Sequence, residues 1–225
     1  YPQIDYFSKH YHVVSLDMPG HGQSTALAAD AQLQDFVDWA IECICALNLG
    51  PVNLAGHSMG SLITTGVSVT RPDLVKRMAV LNGVYKRTDA AREAVIQRAE
   101  ALKQGHLDID TPLQRWFGQS EIEKTASERV KSWLENVNMS GYTTAYRAFA
   151  QGDLVYADGW ADIQCPALVL TGTDDPNSTA EMTIQMANQA KHGTAIVIEN
   201  ERHMVNLTAP EKVNQAMQAW LETAP

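Results

Sequence analysis

Short apolar runs that alternate with helix-periodic stretches constrain this chain more than any other feature. Residues 13–16, 52–55, 78–81, 167–171 and 195–198 each have the length and composition of a strand. Between them, residues 33–49 repeat Leu33, Phe36, Val37, Ala40, Ile41, Ile44 and Cys45 at helical spacing. That stretch closes at Asn48-Leu49-Gly50-Pro51. Further helices are expected over residues 1–11, from Met59 to about Thr70, and over 178–191 and 210–221. Strands alternating with helices predict an α/β fold, a mostly parallel sheet covered by helices on both faces.

One block breaks the alternation. Residues 86–157 carry helical stretches at 89–103, 112–117, 121–137 and 142–150, with no clear strand. They also gather Trp116, Phe117, Trp133, Tyr142, Tyr146 and Phe149. Such a block is too long for a connecting loop. The expected organisation is a core formed by residues 1–85 and 158–225, with residues 86–157 inserted as a helical cap over one end of the sheet. The aromatics suggest an apolar small-molecule pocket under that cap.

Composition excludes several classes. The chain has 225 residues, 45% of them hydrophobic and 19% charged, the balance of a folded globular protein. Its net charge of −9 argues against a nucleic-acid backbone as partner. No apolar run approaches the ~20 residues of a membrane helix. Cys43, Cys45 and Cys165 lack zinc-ligand spacing and read as buried thiols of a reducing, cytoplasmic setting. No His/Asp/Glu cluster suggests a metal, and no glycine-rich phosphate loop suggests a nucleotide cofactor.

The chemistry concentrates at Gly56-His57-Ser58-Met59-Gly60, between a strand and a helix. A sharp strand-to-helix turn exposes the central serine at the carboxyl end of a strand. Glycines two before and two after would permit the close passage of the backbone. The Met59 N–H, at the helix start, is the candidate oxyanion donor. A serine hydroxyl needs a base, and the base needs an orienting acid. His203 and Asp175 follow the last two strands, in the chain order Ser, Asp, His that this arrangement uses. Asp174 rivals Asp175; a relocated acid after the third strand would have to be Asn82, a poor acid, or Asp89. His57 is a candidate pocket wall beside the serine, and His21 a candidate rim residue. The remaining histidines read as surface residues.

On these residues the chain resembles an α/β-hydrolase. The likeness runs from Asp17-Met18-Pro19-Gly20-His21-Gly22-Gln23-Ser24 through the turn at Ser58 to Gly172–Pro176 and His203-Met204, nearly the whole chain. Arg115-Trp116-Phe117, Gly141-Tyr142, residues 146–150 and Asp153 resemble the cap of 3-oxoadipate enol-lactonases and similar carboxylic-ester hydrolases. The resemblance implies a serine hydrolase of a small ester or lactone, acting through an acyl-enzyme with Ser58, Asp175 and His203 and no cofactor. Relatives that attack with aspartate, the dehalogenases and epoxide hydrolases, fit less well. Carbon–carbon bond hydrolysis, cofactor-free oxygenation and non-catalytic ligand binding on the same fold are the alternatives. His57, Trp116, Trp133, Tyr146 and Met204 are the expected pocket residues, and Arg115 or Arg147 a candidate anchor for a substrate carboxylate. The family also has a strand before the one at 13–16, ending in a His-Gly loop that supplies a second oxyanion donor. Nothing here matches it, so the expectation is an N-terminally truncated chain. Otherwise the strand at 13–16 would pair directly beside 52–55. Exposed sheet edges make a homo-oligomer an open expectation.

Overall fold

The computed structural model describes residues 2–224. Tyr1, with which the expected first helix begins, lies outside them. Helix α1 (Pro2–Phe7) and α2 (Leu33–Leu47) precede β1 (Val52–His57), α3 (Met59–Thr70) and β2 (Val75–Leu81). Four helices follow: α4 (Asp89–Lys103), α5 (Asp110–Trp116), α6 (Glu121–Glu135) and α7 (Met139–Gln151). The chain then forms β3 (Ala167–Gly172), α8 (Ala180–Gln189), β4 (Gly193–Ile198), α9 (Val205–Thr208) and α10 (Pro210–Glu222).

The four strands form one parallel sheet in the order β1-β2-β3-β4. Its register matters for chemistry. His57 pairs with Leu81, Leu81 with Leu170, and Gly172 with Ile198. The carboxyl ends of all four strands therefore release their loops along one edge. The pleat sends alternate residues to opposite faces. Met78, Val80 and Val169 join α2, α3 and α8 on one face; Ala79, Leu81, Leu168 and Leu170 join α1 and α10 on the other. Every residue of β3 and all but one of β2 are buried. That is why residues 78–81 and 167–170 read as unbroken apolar runs.

Residues 13–16 do not form a strand. Val14 and Leu16 stay 40% and 48% exposed, although Val13 packs against the α10 side of the sheet. A strand exists only through its ladder, and among the described residues nothing pairs with this segment or with the outer edge of β1. Direct pairing of 13–16 beside β1 is thus not what the chain adopts.

At two helix starts a cap accounts for the difference from the sequence reading. Asn138 accepts the Gly141 N–H at 3.0 Å, so α7 begins at Met139 rather than at 142. Thr179 accepts the Met182 N–H at 3.3 Å, so α8 begins after it. The cysteines also differ. Cys45 is exposed and Cys43 and Cys165 are half-buried, because the buried stripe of α2 runs through Leu33, Phe36, Val37, Ala40 and Ile44. No helix among the described residues is long and apolar enough to cross a membrane.

Candidate active site

Ser58 occupies the turn between β1 and α3 with φ 52° and ψ −112°, a strained backbone for a residue with a side chain. Its N–H donates to the Leu81 carbonyl at 3.0 Å, which fastens the turn to β2. The two glycines of the motif have different reasons. A Cβ at Gly56 would stand 2.0 Å from the Gly60 carbonyl oxygen, so only glycine fits there. A Cβ at Gly60 would meet nothing within 4 Å; Gly60 instead lines the cavity in front of Ser58. Met59 opens α3, so its N–H belongs to the first turn, where helical amides have no partner within the helix.

The loops after β3 and β4 complete the array. His203 Nε2 lies 3.0 Å from Ser58 Oγ, and His203 Nδ1 lies 2.8 Å from Asp175 Oδ2. Asp174 turns away, exposed, to the Thr173 hydroxyl. Asp175 is 3% exposed. Burial opposes its ionisation, yet bonds from His203, Asn82 and the Asn177 N–H outweigh burial and hold its carboxyl below the usual carboxylate range. Its second oxygen accepts the N–H groups of Asn177 at 2.8 Å and Ser178 at 3.1 Å. The side chain is thereby held by donors on both oxygens. A serine polarised by an imidazole that is itself oriented by a carboxylate can attack a carbonyl carbon.

Residues 1–216 match the sequence model of the alpha/beta hydrolase family. The chain belongs to the α/β-hydrolase family. It is 95% identical over 225 residues to the (E)-2-((N-methylformamido)methylene)succinate hydrolase of Acinetobacter baylyi, covering 100% of this chain and 86% of that protein. It is 26% identical over 224 residues to 3-oxoadipate enol-lactonase 2 of the same organism, covering 98% of this chain and 82% of the relative. Among solved structures, a thermophilic esterase from Thermogutta terrifontis (malate bound) superposes with a TM-score of 0.88 at 22% identity, over 98% of this chain and 83% of its own. The chain is a hydrolase on this fold.

In this α/β-hydrolase a cavity of about 630 Å³ opens over Ser58 between the sheet edge and helices α4, α5 and α7. His57, Trp116 and Tyr146 line it, as do Met59, His21 and Tyr142. Trp116 stacks on the His203 ring, centroids 5.8 Å apart and planes 29° apart, so the end of α5 covers the imidazole directly. Trp133 and Met204 are not in this wall. On α6 the inward stripe is Ala126, Val130 and Leu134, and Trp133, at the edge of that stripe, is 43% exposed. Met204 precedes α9 and packs under α5 and α6 against the cluster of Leu113, Phe117 and Val130.

Arg115 lines the cavity and Arg147 does not. Arg87 and Arg98 line it as well, and sequence reasoning overlooked both. For Arg98 a signal existed. Ala91, Ala94, Val95 and Arg98 all face the cavity from α4, spaced i, i+3, i+4 and i+7. A lone arginine at the end of that stripe marks a charge turned inward.

His57 donates from Nε2 to the His203 carbonyl at 2.8 Å, and its ring stands 5.2 Å from the His203 ring. Burial, then the neighbouring His203, lower its pKa from 6.5 to about 4. A histidine with a depressed folded pKa binds fewer protons folded than unfolded. Stability therefore falls as pH drops from about 6.5 towards 4, by at most about 3 kcal/mol. Melting temperatures measured between pH 4 and 7 should show this slope in the wild type. The slope should flatten in His57→Gln, which keeps a donor for the carbonyl; an unchanged slope would assign the pH dependence elsewhere.

Proposed function

We propose that this hydrolase cleaves the formyl C–N bond of (E)-2-((N-methylformamido)methylene)succinate or a close analogue, a dianionic N-formyl enamide. The observation that carries the substrate class is electrostatic. The chain bears a net charge of −9, yet the cavity in front of Ser58 is lined by Arg87, Arg98 and Arg115 and by no aspartate or glutamate. Arg87 is neutralised by Asp153. Among the described residues, Arg98 and Arg115 form no ion pair and hold only neutral partners. Arg98 Nε donates to the Tyr146 hydroxyl at 3.1 Å and Arg115 Nη2 to the Asn177 side-chain oxygen at 2.6 Å. Two unneutralised guanidiniums on different cap helices suit two carboxylates of one small molecule. The 95% identical relative carries a succinate in its substrate's name.

The chemistry follows from Ser58 and its partners. Ser58 Oγ attacks the formyl carbon while His203 takes the hydroxyl proton, and Asp175 balances the imidazolium. The Met59 N–H faces the developing oxyanion. The intermediate expels the nitrogen, which receives the proton from His203; this leaves formyl-Ser58. Conjugation of that nitrogen through the C=C bond to a carboxylate makes it a better leaving group than an ordinary amine. Water activated by His203 then releases formate. Ester or lactone cleavage, the first expectation from the sequence, is supported by more distant relatives, such as the 26% identical enol-lactonase. Hydrolysis of a bond other than an ester on the same scaffold, the class to which carbon–carbon cleavage also belongs, is better supported by the 95% identical relative.

The test is turnover of the dianion against its dimethyl ester, with formate followed by NMR. Formate release and a strong preference for the dianion are expected; equal handling of both would overturn the substrate class. Arg98→Met and Arg115→Met should each raise KM about 10–100-fold with a smaller effect on kcat, since a charge-assisted hydrogen bond contributes about 1.5–3 kcal/mol. An unchanged KM in both variants would remove these arginines from substrate binding.

A further inference from the structure

The residue one position beyond β2, Asn82, is fully buried and has φ 48°. Its backbone is fixed from two sides. The N–H donates to the Leu170 carbonyl at 2.7 Å, and its carbonyl accepts the Ser178 hydroxyl at 2.6 Å. Its side chain reaches across the sheet edge, and Nδ2 lies 2.8 Å from Asp175 Oδ2, 3.2 Å from Thr171 Oγ1 and 3.3 Å from the Arg202 carbonyl. The amide orientation follows from chemistry. A carboxylate and a peptide carbonyl only accept, so the NH₂ must face them. The other end, Oδ1, is buried with no hydrogen-bond partner. An orphaned buried acceptor ordinarily destabilises a fold. Its presence here implies that the NH₂ group does something that outweighs it.

Asp175 Oδ2 is the same oxygen that accepts from His203 Nδ1. We propose that Asn82 is a positioning residue for the Ser58–His203–Asp175 array: its NH₂ fixes Asp175 Oδ2 so that the remaining lone pair faces His203, and supplies that acid with a donor that carries no charge. The inference rests on the reading of Ser58, His203 and Asp175 as the reacting groups. The neutrality of Asn82 is the central point. An acid at this position would stand 2.8 Å from Asp175 Oδ2, and a second negative charge there would reset the basicity of His203. The ionisable groups nearest Asn82 and Asp175 are His203 from the β4 loop and His57 at the end of β1; farther out, Arg115 holds the Asn177 side chain and Arg87, Arg98, His21, Tyr142 and Tyr146 line the cavity. Arg202 contributes only its carbonyl, because its guanidinium reaches away to the carbonyls of Gln114 and Phe117. Asp174 is exposed and bonded to Thr173.

Asn82→Asp and Asn82→Gly both tolerate the left-handed backbone. The test is the rate at which a fluorophosphonate labels Ser58, measured from pH 5 to 9 by intact mass, with a melting curve for each protein. The readout needs no substrate, so it is independent of the formyl-enamide assignment. In Asn82→Asp the acid limb of the labelling profile should move up by about 1–2 pH units, as an added carboxylate within a few ångströms of a histidine implies. In Asn82→Gly labelling should slow by about 10–100-fold across the range, the effect of a misplaced catalytic group. Profiles that coincide with wild type in both variants, whatever happens to the melting temperatures, would overturn the positioning role. A wild type that is not labelled at all would instead overturn the reading of Ser58 as an activated nucleophile, and the proposal with it.

Discussion

Ser58→Ala is expected to lower turnover of the formyl enamide by about 10⁴–10⁶-fold while leaving KM close to wild type. The size follows from geometry. The oxygen removed is the atom 3.0 Å from His203 Nε2. What survives is the cavity with its arginines and the Met59 N–H, which bind and polarise without forming an acyl-enzyme. Retained KM alongside lost kcat separates this from unfolding. Ser58→Gly supplies a second arm. It removes the same oxygen and also relieves a backbone held at φ 52° by a residue with a Cβ. Such strain costs about 1–3 kcal/mol. The glycine variant should therefore be as inactive as the alanine variant yet melt higher. A glycine variant that melts lower would mean the turn is not strained at Ser58. An alanine variant with wild-type turnover would move the chemistry away from this serine, towards the His203–Asp175 pair acting without it.

How far the sequence discloses the fold depends on which interactions are local. β2 and β3 are legible because every neighbour needed to bury them lies within the α/β pattern, and burial on both faces leaves plain apolar runs at 78–81 and 167–170. Residues 13–16 have the same local appearance, but a strand needs a ladder partner and local composition carries no record of one. Within the site, Ser58, Asp175 and His203 are marked by turns and glycines that the chain shows openly. Asp175 was separable from Asp174 only in three dimensions, where one faces His203 and the other faces solvent. Asn82 was legible only as a poor acid. Its significance lies in a contact 93 residues along the chain. Trp133 and Trp116 look alike in sequence, both aromatic and both in cap helices. Trp133 sits at the edge of the buried stripe of α6 and stays 43% exposed, while Trp116 lies over the His203 imidazole.

Asp153→Ala should destabilise the protein by about 3–5 kcal/mol, the usual result of stripping one partner from a buried ion pair. The Asp153 side chain is 0% exposed and those of Arg87 and Arg92 are 4% and 21% exposed. Its oxygens accept the Arg87 N–H at 2.8 Å and Arg92 Nε and Nη2 at 3.2 and 3.0 Å, and lie 3.2 Å from Arg87 Nη1. Arg87 gains further support from the Phe149 ring, 4.3 Å below its guanidinium. Burial depresses the Arg87 pKa while Asp153 raises it again, so the carboxylate is what makes the buried cation tolerable. The cluster also joins the segment entering α4 to the segment leaving α7. Loss of Asp153 should thus loosen the α4 wall that carries Arg98 and raise KM, with the chemistry at Ser58 largely spared. A double variant, Arg87→Met with Asp153→Leu, distinguishes charge from packing. Apolar replacement of a whole buried pair is often neutral, so the double variant should be more stable than Asp153→Ala alone by about 1–4 kcal/mol. Urea unfolding of the three proteins measures this directly. If the double variant were less stable than the single, the cluster would be holding the cap through hydrogen-bond geometry, with the Arg87 N–H and Arg92 as its essential partners, and charge neutralisation would be secondary.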